Sequence, residues 1–347
     1  MKYQIKNIAY LVFGVAIGFF MVSCDTDIES VKLNEPDIAK QNSELYNTYL
    51  SNLRTYKASA HKAVFGWFDN SVKTPASQGQ NIVAVPDSLD YLVITTPENL
   101  NAREYTEIGT ILDTKGTRTL YEINYNTISA EYDAEKQAFE EDAANEGKTF
   151  KPGFNTYLVE KVQQQLTYCD QYDYAGVVMT FYAKTKLYMT EQEKATQRAL
   201  ENDFLGIAKD WKERHAGKML VLAGKPQNVD DKTILDAASY IIIPCTDATD
   251  EGGITYNFIK AAVDGVPTNK FVPLVMLYST DPTDAKTGYW GDDYAALGAA
   301  RFCAAVHSDY KIAGLALGNI NSDYYHANFV YPVVRQAISI VNPTVQK

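Results

Sequence analysis

Eight short apolar runs, each separated from the next by a stretch long enough to hold a helix or an extended loop, constrain this chain more than any other feature. They occupy 62–68, 91–95, 117–123, 176–182, 218–222, 240–245, 272–278 and 312–317. Runs of this length are strand-sized. When strands alternate with helical segments they pair in parallel, because a parallel pair needs a crossover connection that a hairpin cannot supply. Eight is the number of parallel strands that closes into a (β/α)8 or TIM barrel. An α/β fold with a single barrel over 58–347 is therefore expected.

The segments between the runs carry helix signals. Thr190 and Glu193 form a capping-box pair opening a helix that extends to about Arg214. Asn155 is expected to cap a helix with Tyr157, Leu158, Val162 and Leu166 on one stripe. Pro332 suits the first turn of a last helix that Pro343 ends after Val341. The acidic stretch 131–153, densest at Glu140, Glu141 and Asp142, reads as a solvated insertion between the third and fourth strands.

The start of the chain speaks to location. Lys2 and Lys6 precede the apolar run 8–22, the layout of a secretory signal, and the run is short for a permanent membrane span. It ends at Val22-Ser23-Cys24, which resembles a bacterial lipobox. Cleavage of 1–23 and a lipid anchor on Cys24 are expected; the alternative is an ordinary signal peptide with a chance cysteine. Residues 24–57 read as an acidic tether leading into a helix, with Leu45, Tyr49, Leu53 and Tyr56 spaced to close the bottom of the barrel.

Composition excludes more than it identifies. The net charge is -11, and falls to about -13 once Lys2 and Lys6 leave with the signal, so the basic footprint of a nucleic-acid binder is missing. Cys169, Cys245 and Cys303 permit at most one disulfide. No CxxC pair occurs and the four histidines are scattered, so neither a metal nor another cofactor is expected. The 25 tyrosines are consistent with sugar recognition, since aromatic faces suit the C–H faces of pyranose rings at low rotamer cost. They serve equally well as core residues.

The fourth run, Tyr174-Ala175-Gly176-Val177-Val178-Met179-Thr180-Phe181-Tyr182, resembles the fourth barrel strand of glycoside hydrolase family 18 with its acids replaced. That family reads Asp-Gly-x-Asp-x-Asp-x-Glu here; Ala175, Val178, Thr180 and Tyr182 occupy the four acidic positions and only Gly176 keeps the pattern. The likeness extends in order and spacing over most of 60–340. Glu122 falls in the strand where the family has Ser-x-Gly-Gly, Asp247 keeps the Asp of a Met-x-Tyr-Asp motif, and Gly318 stands near the place of a floor aromatic. The last part, from Asn321 to Ile338, resembles a Bacteroidetes lipoprotein branch of the family.

What the resemblance implies is a barrel of chitinase and endo-β-N-acetylglucosaminidase type, in which a protonated Glu donates to the glycosidic oxygen and the substrate acetamide attacks. Tyr182, with a reference pKa near 10, and the uncharged Val178 and Thr180 do not replace those groups. The expected function is therefore surface glycan binding without hydrolysis, within a system that passes oligosaccharide, including N-acetylglucosamine-containing glycans, to an outer-membrane importer. Candidate stacking residues are Trp67, Tyr125, Tyr182 and Trp290; candidate hydrogen-bonding residues are Asp69, Asp247 and Asn319. Two alternatives stand beside it: an active glycosidase using Glu122 as a displaced acid, and a ligand-free scaffold or adhesin. Glu122 is expected to fill space left by the lost acids, hydrogen-bonded to Thr180 or to buried water.

Overall fold

The computed structural model describes residues 42–326 and 329–343. The chain divides into two units, Met1–Tyr49 and Leu50–Lys347, and the second contains the barrel. Seven strands come first: β1 (Ala63–Phe68), β2 (Tyr91–Ile94), β3 (Arg118–Asn124), β4 (Gly176–Phe181), β5 (Met219–Gly224), β6 (Tyr240–Pro244) and β7 (Phe271–Met276). A hairpin of β8 (Tyr289–Trp290) and β9 (Asp293–Tyr294) follows, then β10 (Gly314–Gly318). The seven strands and β10 close into a parallel barrel in the order β1-β10-β7-β6-β5-β4-β3-β2. Each of the eight apolar runs is one of its strands.

Both faces of these strands are covered, which is why they read as nearly continuous apolar runs rather than as alternating ones. Phe65, Val93, Leu120, Val178, Val221, Ile242, Val272 and Ala316 fill the interior of the barrel. Their neighbours, such as Val64, Leu92, Tyr121, Val177 and Leu315, pack outward under the helices. Gly176 has a packing reason to stay: a Cβ there would lie 2.1 Å from the backbone oxygen of Met219, where β4 meets β5.

Ten α-helices are described, and those bearing on the expectations above are these. The helix α1 (Ser43–Lys57) leads into the barrel unit, α2 (Ala102–Lys115) follows β2, and α3 (Tyr125–Glu141) and α4 (Phe154–Gln171) lie between β3 and β4. After β4 comes α5 (Glu191–Glu201), opened by the Thr190–Glu193 box; a π-helical turn at Asn202–Gly206 joins it to α6 (Ile207–Arg214). The short α7 (Thr233–Ala237) precedes β6, α8 (Glu251–Ala261) precedes β7, α9 (Ala295–Ala304) precedes β10 and α10 (Pro332–Val341) ends the described chain.

Several local expectations are revised. The cap of α4 is Gly153, not Asn155; Asn155 sits in the first turn and donates to Asp203 Oδ2 at 2.8 Å. The stripe of Tyr157, Leu158, Val162 and Leu166 is buried. Much of 131–153 is the second half of α3 rather than a detached insertion, and Glu131 and Glu135 turn toward α4, where they meet Lys161 and the Tyr157 hydroxyl. Within α1, Leu53 is buried as expected, but its companion is Leu50, while Tyr56 is exposed. The three cysteines Cys169, Cys245 and Cys303 are free and buried. Among the described residues no helix is long and apolar enough to cross a membrane; the signal run and Cys24 lie outside those residues.

Candidate functional site

The C-terminal ends of the strands gather the side chains that matter, and β4 shows how. Side chains alternate along a strand, so Val178, Thr180 and Tyr182 follow one another up the inner side. Val178 is buried in the interior and Thr180 is 3% exposed. Tyr182 lies one residue beyond the end of β4, where it is 37% exposed. Burial, reinforced by the nearby Glu122 charge, raises the Tyr182 phenol above its ordinary range and makes it a weaker proton donor. No carboxylate projects from this side of β4.

The carboxylate nearest to it comes from β3. Glu122 is registered opposite Val178, and Asn124 opposite Thr180. The Thr180 hydroxyl donates to Glu122 Oε1 at 2.5 Å, the Asn124 amide donates to the same oxygen at 3.2 Å, and the Trp67 indole donates to Oε2 at 3.2 Å. Three donors from β1, β3 and β4 thus converge on one carboxylate. The Thr180 contact is the bond expected if Glu122 fills the space of the missing acids. Such an arrangement fixes the carboxylate against the barrel wall through both of its oxygens.

Two hollows open around the barrel mouth. One, of about 450 Å³, is lined by Glu122, Asn124, Thr95, Glu98 and Lys161, between the ends of β2 and β3 and the helices α3 and α4. The other, of about 530 Å³, lies beyond β6 and β7 and brings Asp247 together with Trp290 and Lys286. Trp290 is held there by close contact with α9: a Cβ on Gly298 would come within 2.2 Å of its ring. Asp247 is exposed, with the Asn257 amide at 3.5 Å.

Asp69 and Asn319 flank the closure between β1 and β10. The Asp69 backbone N–H donates to Asn321 Oδ1 at 2.7 Å and the Asn321 amide returns a bond to Asp69 O, so the two strand-end loops are tied together. Asn319 adopts a left-handed conformation, φ 56°, that Asn tolerates better than most residues. Tyr125 departs from its expected place at the cleft. As the first residue of α3, it packs edge-on against Phe154, Phe181 and Phe204 in the layer between barrel and helices. The reason is parity: Phe181 is an outward residue of β4, and Tyr125 meets its outer face.

One polar cluster was not singled out from the sequence. The Tyr278 hydroxyl, just past β7, lies 3.1 Å from Asp323 Oδ1 and 2.5 Å from His326 Nε2. Asp323 is fully buried and its Oδ2 accepts from Val334 N at 2.7 Å, in the first turn of α10. Burial raises the Asp323 carboxyl, its own hydrogen bonds pull it partly back, and burial together with Asp323 raises the Tyr278 phenol. The Asp323-x-x-His326 spacing was visible, but the link to Tyr278, 45 positions away, is a product of the fold. Among the described residues no group of three or more His, Cys, Asp or Glu is arranged to hold a metal ion.

With this geometry in view, the comparisons with known proteins agree. The family model for glycoside hydrolase family 18, BT1044-like, matches residues 26–340. A solved BT1044 variant has a TM-score of 0.60 at 15% identity, over 88% of this chain and 95% of that one. The endo-β-N-acetylglucosaminidase from Cordyceps militaris, in apo form, has a TM-score of 0.58 at 14% identity, over 85% and 96% of the two chains. A mutant of the same enzyme, solved with fucosyl-N-acetylglucosamine-Asn, has a TM-score of 0.57 at 14% identity, over 85% and 95%. No curated relative matches the chain. These solved structures share the barrel, and the match of the family model over most of the sequence places this chain in the BT1044-like branch of glycoside hydrolase family 18.

Proposed function

We propose that this chain is a glycan-binding barrel that no longer hydrolyses its ligand. One observation carries the reading: the inner side of β4 presents Val178, Thr180 and Tyr182, and the carboxylate nearest to it, Glu122, is held by three donors. General acid catalysis is worth roughly 10²–10⁴-fold, and the groups that would orient an acetamide are missing as well. What is left favours grip. The hollow beyond β6 and β7 offers Trp290 as a face for a sugar ring and Asp247 for hydroxyls. Outside the linings of both hollows, the half-exposed Tyr182 is a second ring face, the buried Trp67 supports Glu122, and Asp69 and Asn319 stand at the ends of β1 and β10. Tyr125 is the candidate least suited, because its ring is engaged by three phenylalanines.

The ligand class follows from family membership and from the N-acetylglucosamine-containing compound bound in the Cordyceps militaris mutant. An oligosaccharide containing N-acetylglucosamine is proposed here too. The proposal includes a lipid on Cys24, display at the outer-membrane surface, and delivery to a glycan importer. Titration calorimetry against chitooligosaccharides and N-glycans tests the core of it, with Trp290→Ala and Asp247→Ala expected to weaken binding. Uniform absence of binding would remove the proposal. A Cys24→Ala variant, expected to lose both lipid labelling and surface accessibility to protease in whole cells, tests the anchor.

A second reading has one observation in its favour: Glu122 also lines the 450 Å³ hollow. In that reading Glu122 is a displaced acid. Release of glycan by the wild type, lost in Glu122→Gln, would establish it.

A further inference from the structure

The opposite end of the barrel holds a third hollow, of about 540 Å³, that no part of the glycan reading uses. Its lining comes from the last turns of α1, the loop to β1, and the first residues of β2, β3 and β6. Arg54, Lys57, His61, Arg118, Tyr91 and Tyr240 face it. Inside, the barrel is closed by packed rings: Tyr91 stacks on Phe65 at 4.6 Å and Tyr240 meets Phe65 edge-on at 5.1 Å, centroid to centroid. The hollow is thus a dead-ended pocket rather than the mouth of a channel.

Its charge is out of balance. Asp90 is the carboxylate in its lining, and it is already engaged by the His61 ring at 2.9 Å and by Val64 N at 2.8 Å. Lys57 donates to the Asp87 and Leu89 carbonyls and to the Thr117 hydroxyl, none of which carries charge. Arg54 donates to the Thr114 carbonyl at 2.6 Å. The Arg118 guanidinium, exposed at the start of β3, has no hydrogen-bond or ion-pair partner among the described residues. Three cations therefore border one pocket without an ion pair of their own, in a chain whose net charge is -11. A buried cation without a counter-charge is costly, and burial accordingly lowers the Lys57 amine to about 8, against the partly opposing pull of Asp90 and Asp87.

We propose that this pocket is a second binding site, selective for an oxyanion carried on a sugar-sized body such as a uronic acid or a sugar sulfate. Guanidinium groups pair with planar and tetrahedral oxyanions through parallel N–H donors. Tyr91 and Tyr240 supply aromatic edges and hydroxyls for a ring, and the volume falls in the range of small-molecule sites, roughly 300–1,000 Å³. The site is independent of the one at the β4 end, so either stands if the other fails.

The test is titration of the full chain with glucose 6-sulfate, D-glucuronate, inorganic sulfate and uncharged glucose, each balanced with sodium chloride to equal ionic strength. Saturable binding of the two acid sugars is expected, with none for glucose. Arg118→Ala should weaken it by roughly tenfold, the scale of a lost charge-assisted pair. Arg54→Gln is a second variant expected to do the same. Lys260→Ala, which removes the same charge from α8, should leave it unchanged. Equal affinity for inorganic sulfate would assign the pocket to the free ion rather than to a sugar acid. Binding that Arg118→Ala and Arg54→Gln both leave intact, or no saturation beyond the chloride control, would overturn the proposal.

Discussion

Thr180→Val isolates the contact on which the reading of the β4 face rests. Valine keeps the shape of threonine in a position only 3% exposed, and removes the hydroxyl that donates to Glu122 at 2.5 Å. Glu122 retains Asn124 and Trp67 as donors, so the loss is one charge-assisted bond, about 1.5–3 kcal/mol. A barrel of roughly 300 ordered residues unfolds with an entropy near 0.6 kcal/mol/K, from about 2.1 cal/mol/K per residue, and Tm should fall by about 2–5 °C. Glu122→Gln should also destabilise, because its new NH2 group meets either the Trp67 indole N–H or the Thr180 and Asn124 donors. Since the two variants break one network, their combined shift should be smaller than the sum, by about 1 kcal/mol or more. The assay is calorimetric Tm for the two single variants and the double, alongside mass spectrometry of N-glycans incubated with each protein. Strictly additive shifts would refute the network. Glycan release by the wild type that disappears in Glu122→Gln would refute the loss of catalysis.

Other outcomes follow from the same geometry. Gly298→Ala places a methyl group where the Trp290 ring sits, 2.2 Å away, so it should displace that ring and weaken glycan binding while the circular dichroism of the barrel persists. Gly176→Ala, against the Met219 carbonyl at 2.1 Å, should instead destabilise the whole barrel, which a drop in urea midpoint would register. The Lys57 amine has a folded pKa of about 8 against 10.5 unfolded, so the unfolded chain holds the extra proton between those values. Its contribution to stability is present at high pH and lost as pH falls through about 8; from pH 7.5 to 9.5 the gain should approach 2 kcal/mol. Urea titrations of Lys57→Met across that window should lack the slope. Tyr278→Phe leaves the buried Asp323 without its phenolic donor and should lower Tm by about 2 °C or more, with glycan affinity at the Trp290 hollow as the companion readout.

The sequence alone determined the barrel and which residues line the inner side of its fourth strand. Each strand of a parallel barrel is buried on both faces, so β1 through β7 and β10 announce themselves as apolar runs, and the period of two along β4 says which of its residues face inward without any tertiary information. Capping chemistry is equally local, and the Thr190–Glu193 box opens α5 where the residues say it does. What required the fold is everything that depends on two distant segments meeting. Tyr125 reads as a cleft aromatic until the start of α3 turns it against Phe181. Leu50 replaces its neighbours in the α1 core because the rotation of a helix about its axis is set by what it packs on. Glu122 and Thr180, 58 positions apart, become one hydrogen bond through the β3–β4 register. The unpaired cations of Arg54, Lys57 and Arg118 come from a helix and a strand that share no local pattern. Periodicity and capping act over a few residues and are written in order along the chain, whereas side-chain pairing is decided by the closure of the barrel, which brings strand ends together irrespective of their separation in sequence.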